Sequence, residues 1–213
     1  MQRFSVIFDL DGVLLDSAAL ARLSFEYAYR VCVGSGAPPT DAFFARMGQS
    51  LESIVSALQL PDAFPEQFRN KAREQAHLVV PFPGVHEMLE QLKSEGFKLG
   101  VVTGKDRPRT LALMQQCRIA EFFGMIVTPD DAPPKPNPEP IWTCIRGLGG
   151  AVATGFFGDS KTDMLAAKRA GVTGYMVTWG GETSNLDRLH IAQPSDVVDI
   201  CRSAARQQSR PTV

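Results

Sequence analysis

Strand and helix patterns alternate along most of this chain, and this alternation limits its possible folds more than any other feature. Predicted strands lie at Phe97–Val102, Met125–Val127, Thr154–Phe157 and Tyr175–Thr178, and predicted helices at Arg107–Cys117, Pro138–Arg146 and Lys161–Ala170. A further helix face is formed by Val85, Met88, Leu89 and Leu92, and a final helix follows Gln193. Strands that alternate with helices form a parallel sheet with helices on both faces. The sequence therefore predicts a doubly wound α/β core.

A block with only helical patterns interrupts this alternation after the first strand, Phe4–Phe8. Ser17 is a predicted helix N-cap, and Leu20, Leu23, Tyr27 and Val31 follow it at helical spacing. After a Gly/Pro-rich break at residues 34–39, short helices are predicted at Ala42–Phe44, Leu51–Leu58 and Phe64–Leu78. We therefore predict an inserted all-helical cap at residues 17–80 and a core formed by residues 1–16 and 81–213.

Composition and charge exclude several classes of partner. The chain has 213 residues, of which 44% are hydrophobic, and its formal net charge is -1. That charge gives no basis for binding nucleic acid or an anionic membrane, and no apolar run reaches the about 18 residues that span a bilayer. The scattered cysteines Cys32, Cys117, Cys144 and Cys201 favour reduced thiols. We expect a cytoplasmic protein with no secretion signal, either a monomer or a homodimer.

Polar residues with complementary chemistry follow the predicted strands. Asp9 and Asp11 end the first strand, Thr103 and Gly104 follow the strand at residues 97–102, and Asp159 follows Thr154–Phe157. Lys135 lies in a Pro-rich turn, and Asp163 lies four residues after Asp159. Because parallel strands end at the same edge of a sheet, we expect these groups to converge. Carboxylates suit Mg²⁺, while a hydroxyl, an amide and an ammonium suit a phosphoryl group.

These segments, in this order, resemble the four motifs of the haloacid dehalogenase superfamily, and the resemblance covers essentially the whole chain. The helical insert resembles the cap of the phosphoglycolate phosphatase-like and β-phosphoglucomutase-like branch. The resemblance implies a Rossmann-like core with a helical cap that sets substrate specificity. It also implies that Asp9 is the nucleophile that forms an aspartyl-phosphate.

The resemblance assigns roles to the other residues as well. Asp11 would be the general acid and then the general base, with a proton retained because of the neighbouring charge on Asp9. Mg²⁺ would be held by the Asp9 carboxylate, the Asp11 carbonyl and Asp159. Thr103, Gly104 and Lys135 would bind the phosphoryl group, and Asp163 would orient Lys135 or a metal-bound water.

Two of the residue assignments have structural alternatives. Arg46, in the cap loop at residues 46–50, is the candidate for contacting the leaving group, although it could equally be a solvated arginine. Asp163 could be an ordinary acidic residue in the first turn of a helix.

Several alternative functions can be ranked from single residues. Asp11 argues against a dehalogenase, and an EF-hand calcium loop is excluded because Ile7 and Ala18 fall at its first and last ligand positions. A receiver-like signalling module would lack a cap. A β-phosphoglucomutase-like sugar phosphomutase stays open because of Val13, although Thr103-Gly104-Lys105 looks more like the phosphatases. The sequence thus predicts a Mg²⁺-dependent phosphatase for a small phosphorylated metabolite, phosphoglycolate-like or a sugar phosphate.

Overall fold

The computed structural model describes residues 3–181 and 190–208, and the main feature of these residues is a six-stranded parallel sheet. Its strands are β1 (Phe4–Phe8), β4 (Lys98–Val102), β5 (Phe123–Val127), β6 (Val152–Gly158), β7 (Gly174–Val177) and β8 (His190–Ile191). The spatial order is β5-β4-β1-β6-β7-β8, so β1 lies between β4 and β6. The chain reverses its direction of winding at this central strand, and ligands of such sheets bind at that point.

Helices cover both faces of the sheet. They are α5 (Val85–Ser94), α6 (Arg107–Gln116), α7 (Glu139–Gly147), α8 (Lys161–Ala170) and α9 (Pro194–Gln208). Phe8 of β1 is buried in the cluster that contains Leu89 of α5 and Val198 of α9. Ile7, which points to the opposite face, is buried in the cluster that contains Ile141 of α7. The predicted doubly wound α/β core is confirmed.

Between β1 and α5 the chain forms the predicted helical insertion. Its helices are α1 (Ala18–Cys32), α2 (Thr40–Phe44), α3 (Leu51–Ala57) and α4 (Phe64–Glu74). They surround Phe25, whose ring stacks on Phe43 with centroids 4.3 Å apart and lies 5.4 Å from Phe64. Aromatic rings of this size supply a large buried apolar area, which gives the insertion a core of its own.

The two ends of the insertion are joined by a small antiparallel ribbon. Its strands are β2 (Leu15–Asp16) and β3 (Val80–Pro81). This ribbon pairs the segment that leaves the core with the segment that returns to it. We therefore propose that the cap extends over residues 17–80, as predicted from the sequence. We refer to this segment as the cap below.

The structure corrects the boundaries of some predicted elements. The helix predicted at Phe64–Leu78 ends at Glu74, and a short 3₁₀ helix follows at Ala76–Leu78. The strands β2, β3 and β8 were not predicted, because two residues are too few to show an alternating pattern. All four cysteines are free, and Cys117, Cys144 and Cys201 are buried. Within residues 3–181 and 190–208, no helix is long and apolar enough to cross a membrane.

Candidate active site

The predicted site residues converge at the carboxyl edge of the sheet. Asp9 directly follows β1, Thr103 follows β4 and Asp159 follows β6, while Lys135 lies in the loop between β5 and α7. Asp9, Thr103 and Lys135 are buried. Neighbouring parallel strands deliver these residues from distant parts of the sequence to one place.

Lys135 is the buried centre of this cluster. Its Nζ lies 2.9 Å from Asp9 Oδ1 and 2.6 Å from Asp163 Oδ1, and it donates to the Val102 carbonyl oxygen at 3.1 Å. Burial alone would lower the pKa of Lys135, but the charges of Asp163 and Asp9 outweigh it and raise the pKa above its ordinary value. Lys135 is therefore held as a cation between two carboxylates.

The carboxyl group of Asp9 has an unusual environment. Burial raises the pKa of Asp9 most, Lys135 lowers it, and the charges of Asp163 and Asp11 also raise it, so that the pKa is about 7. The pKa of Asp159 is also raised well above its usual range, by burial and then by the charges of Asp163 and Asp9. A divalent cation would offset this accumulation of negative charge.

The acidic groups fit the predicted magnesium site. Carboxylate oxygens of Asp9, Asp159 and Asp163 all lie within 4.8 Å of one another. Gly12 allows Asp159 to approach, since a Cβ there would lie 1.9 Å from Asp159 Oδ2. These are the hard oxygen donors that Mg²⁺ prefers. Asp9, Asp159 and Asp163 could each offer one oxygen to such an ion.

Asp163 has a different set of partners. Besides the contact of its Oδ1 with Lys135, its Oδ2 accepts hydrogen bonds from the Ser160 backbone N at 3.1 Å and from Ser160 Oγ at 2.5 Å. Ser160 and Asp163 form a capping box at the start of α8. Asp163 thus connects Lys135 to the start of α8, which suits a residue that positions Lys135.

Asp11 is held by two residues that the sequence analysis did not select. Ser17 Oγ donates to Asp11 Oδ1 at 2.5 Å, and Lys105 Nζ lies 3.2 Å from Asp11 Oδ2. Ser17 occupies the predicted N-cap position of α1, but its side chain makes no capping hydrogen bond. Its hydroxyl contacts Asp11 instead. For the contact of Lys105 with Asp11, the only signal in the sequence is the position of this lysine directly after Thr103-Gly104.

A pocket opens beside Asp9 and Asp11, between the cap and the core. Thr103, Gly104 and Lys105 line it from the core, and Met47, Gly48 and Gln49 line it from the cap. The two sides approach closely, since a Cβ at Gly104 would lie 2.4 Å from the Gln49 carbonyl oxygen. Thr103 Oγ1 accepts from the Lys105 backbone N at 3.2 Å.

The structure places Arg46 away from this pocket and Arg109 in it. Arg46 Nη1 donates to the Ala42 carbonyl oxygen of α2 at 2.8 Å, and Arg46 is absent from the described lining residues. Arg109 of α6 lines the pocket. Its Nε lies 2.7 Å from Asp106 Oδ2, and Arg69 Nε of α4 lies 3.1 Å from the same oxygen. Asp106 thus connects the cap to the core.

Comparisons with known proteins point to one family. The sequence model described as "Haloacid dehalogenase-like hydrolase" matches residues 6–177. The chain is 34% identical to a probable phosphatase, IndB, from Dickeya dadantii, over 91% of this chain and 88% of that protein. It is 32% identical to a phosphoglycolate phosphatase from Caulobacter vibrioides, over 83% of this chain and 79% of that protein.

A solved structure has a similar fold over nearly its whole length. It is the crystal structure of a putative β-phosphoglucomutase from Thermotoga maritima, with a TM-score of 0.68 and 26% identity over 94% of this chain and 99% of that one. The family resemblance and the fold predicted from the sequence are thereby confirmed.

Proposed function

Because the chain belongs to the haloacid dehalogenase-like hydrolase family, we propose that it is a Mg²⁺-dependent phosphatase that hydrolyses a small phosphate monoester through an aspartyl-phosphate on Asp9. The observation that supports this most is the position of Asp9. Its Oδ1 lies 2.9 Å from Lys135 Nζ and accepts from the Leu10 backbone N at 2.7 Å. Since these donors hold Oδ1, we assign Oδ2 as the oxygen that attacks phosphorus.

In the first step, Asp9 Oδ2 bonds to phosphorus while the bond from phosphorus to the ester oxygen breaks. Asp11 donates its proton to that departing oxygen, so the product leaves as a neutral alcohol. In the second step, Asp11 takes a proton from the water that attacks the aspartyl-phosphate. Inorganic phosphate departs and the Asp9 carboxylate is restored. Ser17 and Lys105 hold the Asp11 side chain in place between these two steps.

The remaining site residues would stabilise the negative charge of the phosphoryl group. Thr103 and Gly104 line the pocket, and the Thr103 hydroxyl and the Gly104 backbone N–H would donate to the phosphoryl oxygens, while Lys135 supplies a positive charge beside Asp9. Asp9, Asp159 and the Asp11 backbone carbonyl would hold Mg²⁺, which would supply charge neutralisation for the phosphoryl oxygens. Asp163 positions Lys135 through its contact with Nζ.

The sequences of relatives favour hydrolysis over isomerisation. The two phosphatase relatives are 34% and 32% identical to this chain, and the putative β-phosphoglucomutase is 26% identical. The sugar phosphomutase is therefore the second candidate, and it would differ in the fate of the phosphoryl group, which would return to the sugar instead of passing to water.

A phosphate-release assay tests the proposal. The enzyme is incubated with Mg²⁺ or with EDTA and a panel of small phosphate esters, including 2-phosphoglycolate and glucose phosphates. We expect free phosphate only with Mg²⁺, and none from Asp9→Asn. Asp62→Asn is the matched control, because Asp62 is exposed on the cap. Isomerised sugar phosphate without phosphate release would favour the mutase, and full activity in Asp9→Asn would overturn the mechanism.

A further inference from the structure

The cap side of the pocket is apolar. The residues that the cap places against it include Leu20, Phe43, Met47, Leu51, Ile54 and Phe68. Gly48 and Gln49 accompany them, and Gln49 carries an uncharged side chain. Among the described residues of the cap, no charged side chain lines this pocket. The phosphoryl group belongs at Asp9, so the apolar wall faces the region that the alcohol part of the ester would occupy.

Each cation that lines the pocket lies beside a carboxyl group of the protein. Lys105 Nζ lies 3.2 Å from Asp11 Oδ2, and Arg109 Nε lies 2.7 Å from Asp106 Oδ2. The guanidinium of Arg109 also lies over the Phe68 ring, 5.6 Å from its centroid. Within the described part of the chain, a second anionic group on the substrate would therefore compete with Asp106 for Arg109, whose Nε is already engaged. A carboxylate buried without such a partner is strongly disfavoured.

Polyol substrates are disfavoured for a related reason. A sugar buries several hydroxyl groups, each of which needs a hydrogen-bond partner. The apolar residues named above offer none, and Gln49 can satisfy only a few. An alkyl or benzyl group needs no such partner and gains from leaving water.

We propose that the substrate is a phosphate monoester of an uncharged, apolar alcohol, with an alkyl or aryl-alkyl body that packs against Phe43, Met47 and Phe68. This inference rests on the proposed phosphatase activity and narrows it. It distinguishes this chain from an enzyme that prefers a phosphate ester with a second acidic group, such as phosphoglycolate, and from one that prefers a sugar phosphate.

The test compares four esters of primary alcohols, so that the intrinsic reactivity of the leaving groups is closely matched. The pair n-hexyl phosphate and benzyl phosphate is measured against the pair 2-phosphoglycolate and glycerol 3-phosphate. We expect kcat/KM to be at least about tenfold higher for each apolar ester than for either polar one. Equal values, or higher values for the polar pair, would overturn the inference.

A single substitution in the wall provides a second test. Met47→Lys places an unpaired cation in the pocket, and we expect the ratio of kcat/KM for 2-phosphoglycolate to that for n-hexyl phosphate to rise at least about tenfold. Val31→Lys is the matched control, because Val31 lies outside the pocket on α1 and is 52% exposed, and it should leave this ratio unchanged. An unchanged ratio in Met47→Lys would contradict the inference.

The outcomes separate the two proposals. If phosphate is released most rapidly from the polar esters and this release is lost in Asp9→Asn, only the substrate inference fails. If none of the four esters yields Asp9-dependent phosphate, the phosphatase proposal and the inference fail together.

Discussion

Lys105 Nζ lies 3.2 Å from Asp11 Oδ2, and this contact joins the loop after β4 to the loop after β1. Ser17 Oγ donates to the other oxygen of the same carboxylate at 2.5 Å. The carboxyl group of Asp11 therefore cannot rotate freely. This restraint does not depend on the metal, because only the backbone carbonyl of Asp11 is assigned to it. In the proposed mechanism, this fixes the orientation of the group that transfers the proton.

Replacing Lys105 should therefore impair proton transfer more than binding. For Lys105→Met we expect kcat to fall about tenfold or more, as for the loss of a charge-assisted hydrogen bond, with a smaller change in KM. Lys105→Arg should recover part of this loss. Steady-state kinetics of these variants check this prediction, with Lys161→Met at an exposed lysine as the control. An unchanged kcat in Lys105→Met would contradict it.

Lys135 should contribute to stability as well as to catalysis. Lys135→Met would leave Asp9 and Asp163 buried without their cation, and breaking a buried ion pair in this way costs about 3–5 kcal/mol. Urea denaturation gives the free energy of unfolding of each variant. Lys98→Met, at an exposed lysine in β4, should change it little. A loss in Lys135→Met as small as in this control would show that the pairing contributes little.

Magnesium binding should depend on pH because of Asp9. Its pKa of about 7 means that the carboxyl group is mostly protonated below that pH and ionised above it. Mg²⁺ binds the ionised form, so its affinity rises as the pH rises. We expect the Kd for Mg²⁺ to fall at least about tenfold from pH 6 to pH 8, as measured by isothermal titration calorimetry, since the raised pKa of Asp159 acts in the same direction. A Kd that does not change, or that rises, over this range would be inconsistent with a buried ligand at Asp9.

The close approach of the cap to the core should make Gly104 intolerant of a side chain. A Cβ there would lie 2.4 Å from the Gln49 carbonyl oxygen, which belongs to the backbone and cannot simply move aside. We expect Gly104→Ala to cost about 1–3 kcal/mol of stability and to lower kcat/KM. Gly124→Ala is the comparison, because its nearest contact is the end of the Leu148 side chain at 3.2 Å. Equal melting temperatures for Gly104→Ala and the wild type would disprove the predicted clash.

The fold and the central residues could be predicted from the sequence for a physical reason. Residues at the ends of parallel strands must meet at one edge of the sheet, so the positions of Asp9, Thr103 and Asp159 follow once the strands are recognised. The convergence of these residues needs no information about side-chain direction. Their roles in catalysis stay predictions.

Other contacts depend on tertiary geometry that a linear pattern does not contain. The sequence suggested Ser17 as a helix cap, but the position of α1 directs its hydroxyl to Asp11. Arg46 was selected as a ligand for the leaving group, whereas its side chain bonds back to α2 and Arg109 lines the pocket. Such choices depend on which hydrogen-bond partner lies nearest in three dimensions.

The central claim is that Asp9 carries the phosphoryl group during turnover. The most direct measurement is rapid acid quench of the enzyme during turnover of its best ester, followed by peptide mass spectrometry. The account predicts a phosphoryl group on the peptide that contains Asp9. It should be absent in Asp9→Asn. Turnover without any phosphorylated peptide, or with the phosphoryl group on a residue other than Asp9, would contradict the account.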